Sequence, residues 1–487
     1  MSNRSFCLKA LALAAMVCLG GAGTALATVY YVDAAKADDT GDGLSWANAK
    51  RHIFAAAALA AAGTNNEVWV KAGTYNEETA SSAINNGQKF YGSLIGTEAP
   101  GYDMGLRDFT ANLTTVDGTG KAVRFINDAT GKSNVRIDGF RIQNYVLSAT
   151  TDYGHAVRMT DGGGNRCDGL VIANCVFFKN GNPASGADYG GAVYLSSAGT
   201  GILIDKCEFT SNSINRYGGA FSMSGNFATG ITFRDCLFQF NDAPSAAAGA
   251  LDINQTSGTP QVMIERCRFF ENNYGGTIWQ NPSAIRVMAD IGSSITLANC
   301  TFSHNRHKSD GGIIYMHCGG NMNIINCSFD RNYREVGGGT GKTLWFEGWA
   351  WRQARVTMVN TIVSNHNHPT VTRTSGKTRL NNCIATSDNL YYRGNDVASA
   401  RFEVQSGAVL TENGSMLDLA DPAYVDEANG DLHLSNASPC IDVGTATGAS
   451  LDDIDGESRP WPVAGLVDVG ADENHFVPVG LSRMAVE

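Results

Sequence analysis

Between residues 166 and 383 the apolar positions alternate with polar ones in short bursts. One kind of burst reads apolar-x-apolar-x-x-Cys-x-Phe-x-x-Asn, as in ILIDKCEFTSN (202–212) and ITFRDCLFQFN (231–241). The other opens on Gly-Gly-Ala or a near variant and then alternates, as in GGAVYL, GGAFSM and AGALDI. A period of two is the strand period, and nothing between the bursts has apolar residues at helical spacing. The two bursts recur together. Cys175, Cys207, Cys236, Cys267, Cys300 and Cys327 are separated by 32, 29, 31, 33 and 27 residues; Thr361 then takes the slot in VNTIVSN and Cys383 in LNNCIA. A period of this size marks a solenoid. A coil of about thirty residues made of several short strands and no helix predicts an all-β chain folded as a single parallel β-helix, its coils about 4.8 Å apart.

Stacked coils place equivalent residues above one another. Cys and Phe then face inward, giving a column of thiols that act as small apolar groups beside a column of stacked phenyl rings. The series Asn180, Asn212, Asn241, Asn272, Asn305 and Asn332 falls at a bend, where each side-chain amide can bond the Asn above and below and a left-handed backbone is tolerated. The competing reading, a disulfide framework or a metal site, lacks any Cys-x-x-Cys pair, and the spacing follows the coil instead of a ligand geometry. Cys167, Cys318 and Cys440 lie outside the column, and their pairing stays open.

The flanks divide the rest. Residues 1–27 read as a secretory leader, with Arg4 and Lys9 before an apolar run and Ala25-Leu26-Ala27 as a cleavage site. Residues 28–75 form an N-terminal cap and first coil: Ala47–Gly63 is Ala-rich and helical by propensity, and Val68–Thr74 starts the coil. Residues 76–383 are the β-helix repeats, 384–473 the C-terminal coils or cap with a Pro-closed turn at Asp452–Trp461, and 474–487 a tail. No segment is apolar enough to span a bilayer. The formal charge is −11, and the leader contributes Arg4 and Lys9 with no acid, so the remainder carries −13. That balance argues against a nucleic-acid partner. With 56 glycines and few charges, the composition suits a turn-rich β protein.

The Gly-Gly-Ala and Phe-x-x-Asn repeats resemble those of chlamydial polymorphic outer-membrane proteins and, more broadly, the right-handed parallel β-helix, pectate-lyase-like superfamily. The flanks YYVDAA, GDGLSWANAKRHIFAAAALA, EVWVKAGTYNE and LHLSNASPCIDVGT with DIDGESRPWPVAGLVDVGADE are similar to bacterial secreted β-helix proteins of the choice-of-anchor Q group. The resemblance implies a right-handed β-helix capped by an N-terminal helix, exported to the periplasm, cell surface or medium of a bacterium. It says little about activity.

Counting back from each Cys slot aligns the Gly-Gly-Ala strands. Val193, Phe221, Leu251, Ile285, Ile314 and Leu344 point inward; Tyr194, Ser222, Asp252, Arg286, Tyr315 and Trp345 point outward, followed two residues on by Ser196, Ser224, Asn254, Met288, His317 and Glu347. Loops after the Asn bend add Arg306, His307, Lys308, Arg331, Arg334, His366 and His368, and Trp349 and Trp351 offer sugar-stacking rings. Asp252 and Glu347 stand three rungs apart, roughly 14 Å at strand spacing. That separation is too wide for the paired carboxylates of a glycoside hydrolase. Elimination from a uronate needs a cation on its carboxylate, a base for the adjacent proton and an acid for the leaving oxygen. Arg286, Tyr315, His317 and Lys308 fit as the catalytic set; Asp252, Asn254, Trp345, Glu347, Arg306, His307 and Arg334 fit as substrate-binding residues. On the bland reading these are solvated surface residues, with Asp252 and Arg286 simply paired.

The sequence therefore points to an exported, monomeric protein that acts on or binds an acidic polysaccharide, with lyase-type elimination ahead of hydrolysis. The alternative is a non-catalytic adhesin or structural β-helix. No metal ligands are assigned, and Ca²⁺ is the one cofactor considered. Asp453-Ile-Asp455-Gly456 has a calcium-loop look but lacks the EF-hand ligand at its twelfth position and reads as a turn.

Overall fold

A computed structural model describes residues 27–475, apart from 62–64, 78–83, 148–152, 162–165, 185–188, 197–198, 245–247, 275–281, 308–311, 335–341, 350, 367–376, 394–400, 406, 415, 418–419 and 463–464. The leader before Ala27, Lys308, His368 and nearly all of the tail fall outside these residues. The chain is a parallel β-helix with three faces. Face A holds the Gly-Gly-Ala strands and face B the strands before each Cys slot; the two are joined in one 21-stranded sheet. Face C, a 12-stranded sheet, holds the Cys-x-Phe strands.

The columns follow from the registers. On face C, Phe177, Phe209, Phe238, Phe269, Phe302 and Phe329 stack with ring centroids 4.9, 4.8, 4.9, 4.7 and 4.6 Å apart and nearly parallel planes. The cysteines beside them are buried and unlinked, and every described cysteine is free. Each thiol donates to a carbonyl of its own bend, for example Cys175 Sγ to Ala173 O at 3.1 Å.

At the corner between faces C and A the six asparagines form a continuous ladder. From Asn180 to Asn305 each Nδ2 donates to the next Asn Oδ1 and to a backbone carbonyl one coil back; for Asn305 these are Asn332 Oδ1 at 2.8 Å and Phe269 O at 2.8 Å. Asn305 Oδ1 in turn accepts from Asn272 N and Nδ2. The left-handed backbone sits one residue earlier than the sequence pattern places it: Lys179, Ser211, Phe240, Glu271, His304 and Arg331 have φ between 46° and 56°. A second such series (Asn174, Lys206, Asp235, Arg266, Asn299 and Asn326) turns the chain just before each cysteine. His366 occupies the ladder slot after Asn332. Its ring is fully buried, with Nδ1 2.7 Å from Asn332 O and Nε2 3.2 Å from Phe329 O. It therefore ends the ladder and is not part of a loop patch.

The paired glycines do two different jobs. Gly190 and Gly218 have φ +66°. Gly191 and Gly219 lie so close to the next coil that a Cβ would stand 1.8 and 2.2 Å from its carbonyl oxygens. Only glycine permits that approach.

The N-terminal helix is shorter than propensity predicts, Ile53–Ala60, because its first N–H groups are caught by a buried carboxylate. Glu77 accepts from Ile53 N and Phe54 N. Its buried side meets the first coils, with Phe54 5.7 Å from Phe125. The coils begin earlier than expected, since Val29–Val32 pairs in parallel with Glu67–Lys71. Among the described residues no helix is long and apolar enough to cross a membrane.

Past the last coil strands the chain turns back and runs along the flank of the solenoid. Glu427 pairs with Arg331, Asp452 with Arg266, and Asp455 with Arg268, while Asn326 and Asn360 bond the backbone near Ser450 and Thr445. This strap is locked internally. Arg459 and Glu473, both without exposed side-chain surface, pair at 3.0 Å. Arg459 also donates to the carbonyls of Asp468, Gly470 and Ala471. The Arg-Pro and Ala-Asp-Glu ends of the sequence motif are the two halves of this knot.

Asn305→Ala leaves buried donors and acceptors unmet on two neighbouring coils. It should lower stability by about 3 kcal/mol, read as a fall in the denaturation midpoint. Burial holds the imidazoles of His366 and His304 down at about 4. Their folded pKa lies below the unfolded value of about 6.5. Stability is therefore complete above that value and lost as pH falls towards 4. His366→Asn, which restores an amide to the ladder, should flatten the melting temperature between pH 6.5 and 4.5, and His304→Asn should flatten it further.

Candidate functional site

The registers on face A agree rung by rung with the sequence alignment. Asp252 lies beside Arg286, Arg286 beside Tyr315, and Tyr315 beside Trp345. The inward column is fully buried, as expected. The first outward column is not the solvated surface the pattern predicts: Ser222 and Asp252 are 0% exposed, Tyr315 1%, Trp345 4% and Arg286 8%. The bend after the Asn ladder folds back over it. Tyr217 lies beneath the Arg286 guanidinium, 4.2 Å from ring centroid to Cζ, and stacks on Tyr189 at 5.0 Å.

Burial decides what these groups can do. Arg286 Nε meets Asp252 Oδ1 at 2.6 Å, and Ser222 donates to the other Asp252 oxygen. The guanidinium is neutralised in place, so a substrate carboxylate would have to displace Asp252 to use it. Burial pushes the Asp252 carboxyl up, with Arg286 opposing, and the Arg286 guanidinium is raised by Asp252. Tyr315 donates to Glu347 Oε2 at 2.8 Å, and Asn381 donates to Glu347 Oε1 at 3.0 Å. Burial and the Glu347 charge push the Tyr315 phenol well above its ordinary range. Trp345 is sandwiched between Tyr315 and Arg379, whose Cζ is 4.6 Å from the ring. Arg379 and Lys342 share Glu403.

The second outward column is half-buried and forms the rim: Asn254, Met288, His317 and Glu347. The loop cations with described side chains are engaged locally. Arg306 pairs with Glu271 at 3.5 Å, and Arg331 pairs with Glu427. His307 is 1% exposed in the short strand Arg306–His307. Arg334 lies in the neighbouring strand Tyr333–Arg334, and Lys308 is outside the described residues.

A different group converges at the corner where face A turns into face B. There a cleft of about 280 Å³ is bounded by Gly292, Gly319, Gly320, Arg352, Gln353 and Arg355, among others. The glycines form its floor; a Cβ on Gly319 would stand 3.6 Å from Arg352 Cδ. Arg352 and Arg355 are exposed and make no ion pair among the described residues. Trp349 bridges to Arg352 along the backbone, packs edge-on against Trp351 at 4.9 Å, and lies 6.1 Å from His317. Trp351 is 63% exposed, and Trp349 Nε1 is buried without a hydrogen-bond partner. His317 thus lies beside Trp349, which leads into the turn that carries Arg352. Arg352 escaped the sequence alignment because it belongs to the corner turn, where coil lengths differ, and Arg355 because it points outward from a face B strand, Ala354–Val359, whose outward column was not aligned. The available signal was the insertion GWAWRQ itself, a dense run of aromatic and basic residues.

Among known proteins, the model of the right-handed β-helix region matches residues 163–349. No curated protein matches the chain. A solved structure, the crystal structure of pectate lyase Pel9A, is similar at 14% identity and a TM-score of 0.42, covering 92% of this chain and 96% of that one.

Arg286→Ala leaves Asp252 charged and dry. The expected cost is about 3–5 kcal/mol. The double change Asp252→Ala with Arg286→Met should recover much of that loss. Equal destabilisation by the single and double changes in a denaturant titration would contradict the coupling.

Proposed function

We propose that this right-handed β-helix engages an acidic polysaccharide at the corner cleft, as an exported carbohydrate-active protein. The observation that carries the reading is the pair Arg352 and Arg355, without an ion-pair partner among the described residues, beside a glycine floor and next to the exposed Trp351. Guanidinium groups bind carboxylates in a planar, two-point fashion. Indole faces take the apolar side of a pyranose, and glycines let a chain approach the backbone.

In the lyase form of the reading, Arg352 and Arg355 take over from Arg286 the neutralisation of the uronate carboxylate, which acidifies the adjacent C–H. His317, beside Trp349, is the residue we assign as the base. The proton moves to the imidazole, the bond to the leaving oxygen breaks, that oxygen takes up a proton, and a carbon–carbon double bond remains. Tyr315, tied to Glu347, positions the rim and does not reach the sugar. The second reading, glycan binding without turnover, is favoured by one observation: Arg286 and Tyr315, two of the expected catalytic residues, are buried and already engaged.

Purified protein incubated with uronic-acid and neutral polysaccharides, with and without Ca²⁺, separates the readings. Ultraviolet absorbance from unsaturated uronate rising with reducing ends marks a lyase, and His317→Ala should then abolish it. Binding without either signal marks the adhesin-type reading. In both cases Arg352→Ala with Arg355→Ala should weaken uronate binding at least tenfold at an unchanged melting temperature. Unaltered binding by that variant rules out the cleft.

A further inference from the structure

The strap carries a group of side chains that neither the coils nor the proposed cleft uses. His433, Asp455 and Asp472 bring one ligand atom each to within 4.8 Å of one another. We propose that they bind a divalent transition-metal ion, of the zinc or manganese kind, that fastens the strap to itself beside Arg268.

Three features beyond proximity point to a cation. The first is the orientation of the imidazole. His433 Nδ1 is held by the Asp431 carboxylate, so Nε2 is aimed at Asp455 Oδ2, 2.7 Å away. A metal-binding histidine is set up in this way, with its far nitrogen donating to a carboxylate. Ligand atoms around such an ion stand roughly 3 Å apart, so a shift of a few tenths of an ångström on the exposed Asp455 side chain admits it. The second is charge. Within this strap Asp453, Asp468, Asp472 and Glu473 are all buried, and Arg459 is the one buried cation set among them. Burying charge in excess is costly. The third is division of labour. Asp453, in the neighbouring group with Glu457 and His475, has both oxygens taken by the N–H groups of Asp455, Glu457 and Glu473, so it shapes the turn. Asp472 Oδ2 takes a single N–H, from Leu434, and Asp455 Oδ1 meets only the half-exposed Arg268 at 3.3 Å.

The donor set selects the ion. One imidazole nitrogen with two carboxylates suits zinc or manganese, whereas calcium takes six to eight oxygens. The open side of the site leaves room for water to complete the shell.

The test uses the purified full chain, stripped with a chelator and titrated with Mn²⁺, Zn²⁺ and Ca²⁺ by calorimetry, each state also being melted. The expected result is one saturable site for Mn²⁺ or Zn²⁺, a melting temperature that rises with the ion, and affinity at least tenfold weaker in Asp455→Asn. That residue is exposed, so the variant should fold. His433→Gln should remove the site. Absence of saturable binding, binding that Asp455→Asn and His433→Gln both retain, or binding of Ca²⁺ alone each overturns the proposal.

Discussion

Everything in this protein is subject to one constraint: in a parallel stack a residue must tolerate its own copy one coil above and one below. Parallel registers hold equivalent residues at strand spacing along all three faces. A side chain is favoured only if a column of it is favoured. Phenyl rings meet this by stacking flat, with planes within 7° of parallel down face C. Asparagine meets it because its amide is both donor and acceptor, so each copy satisfies the next. A column of one charge fails, which is why outward rungs alternate between Asp252, Arg286, Tyr315 and Trp345.

The same constraint explains what could be read from the sequence. Repetition made the columns visible, and counting back from cysteine gave the face A register correctly even where the coils carry insertions. Burial could not be read this way. The pattern says which residues point away from the core; it does not say that Tyr217 and the glycine bends return to cover them. His366 is a similar case. Its position in the chain reads as a loop, but its offset of five from Thr361 is the ladder offset, so the residue that breaks the letter pattern preserves the hydrogen bonding. The Arg352 and Arg355 cleft was the least legible element. Arg352 lies in a corner turn, which is free to vary in length and so falls outside a repeat alignment, while Arg355 is an outward residue at the start of a face B strand, a column that the count along face A does not reach.

Face A therefore has two electrostatic regimes side by side. Under the bend, Asp252 and Arg286 are dry and paired; farther along the face, partly exposed Glu403 is shared by Lys342 and Arg379. At the corner, Arg352 and Arg355 are wet and unpaired. A buried pair costs much to break and is poorly suited to a partner that comes and goes. Exposed guanidinium groups cost little to engage. The division assigns rigidity to the first set and recognition to the second.

The returning strap changes how such a molecule comes apart. In a bare solenoid each coil touches only its neighbours, so unfolding can fray from an end one step at a time. Here the segment from Glu427 to Glu473 ties coils that are far apart in sequence, from Arg266 through Arg331 to Asn360. These links, with the Arg268–Asp455 pair, span up to 187 residues of chain. Closing them late makes folding slow, but once closed they make the last coils release together or not at all. Pulled from its C-terminal end, the chain would meet this clasp before it could unwind a single coil.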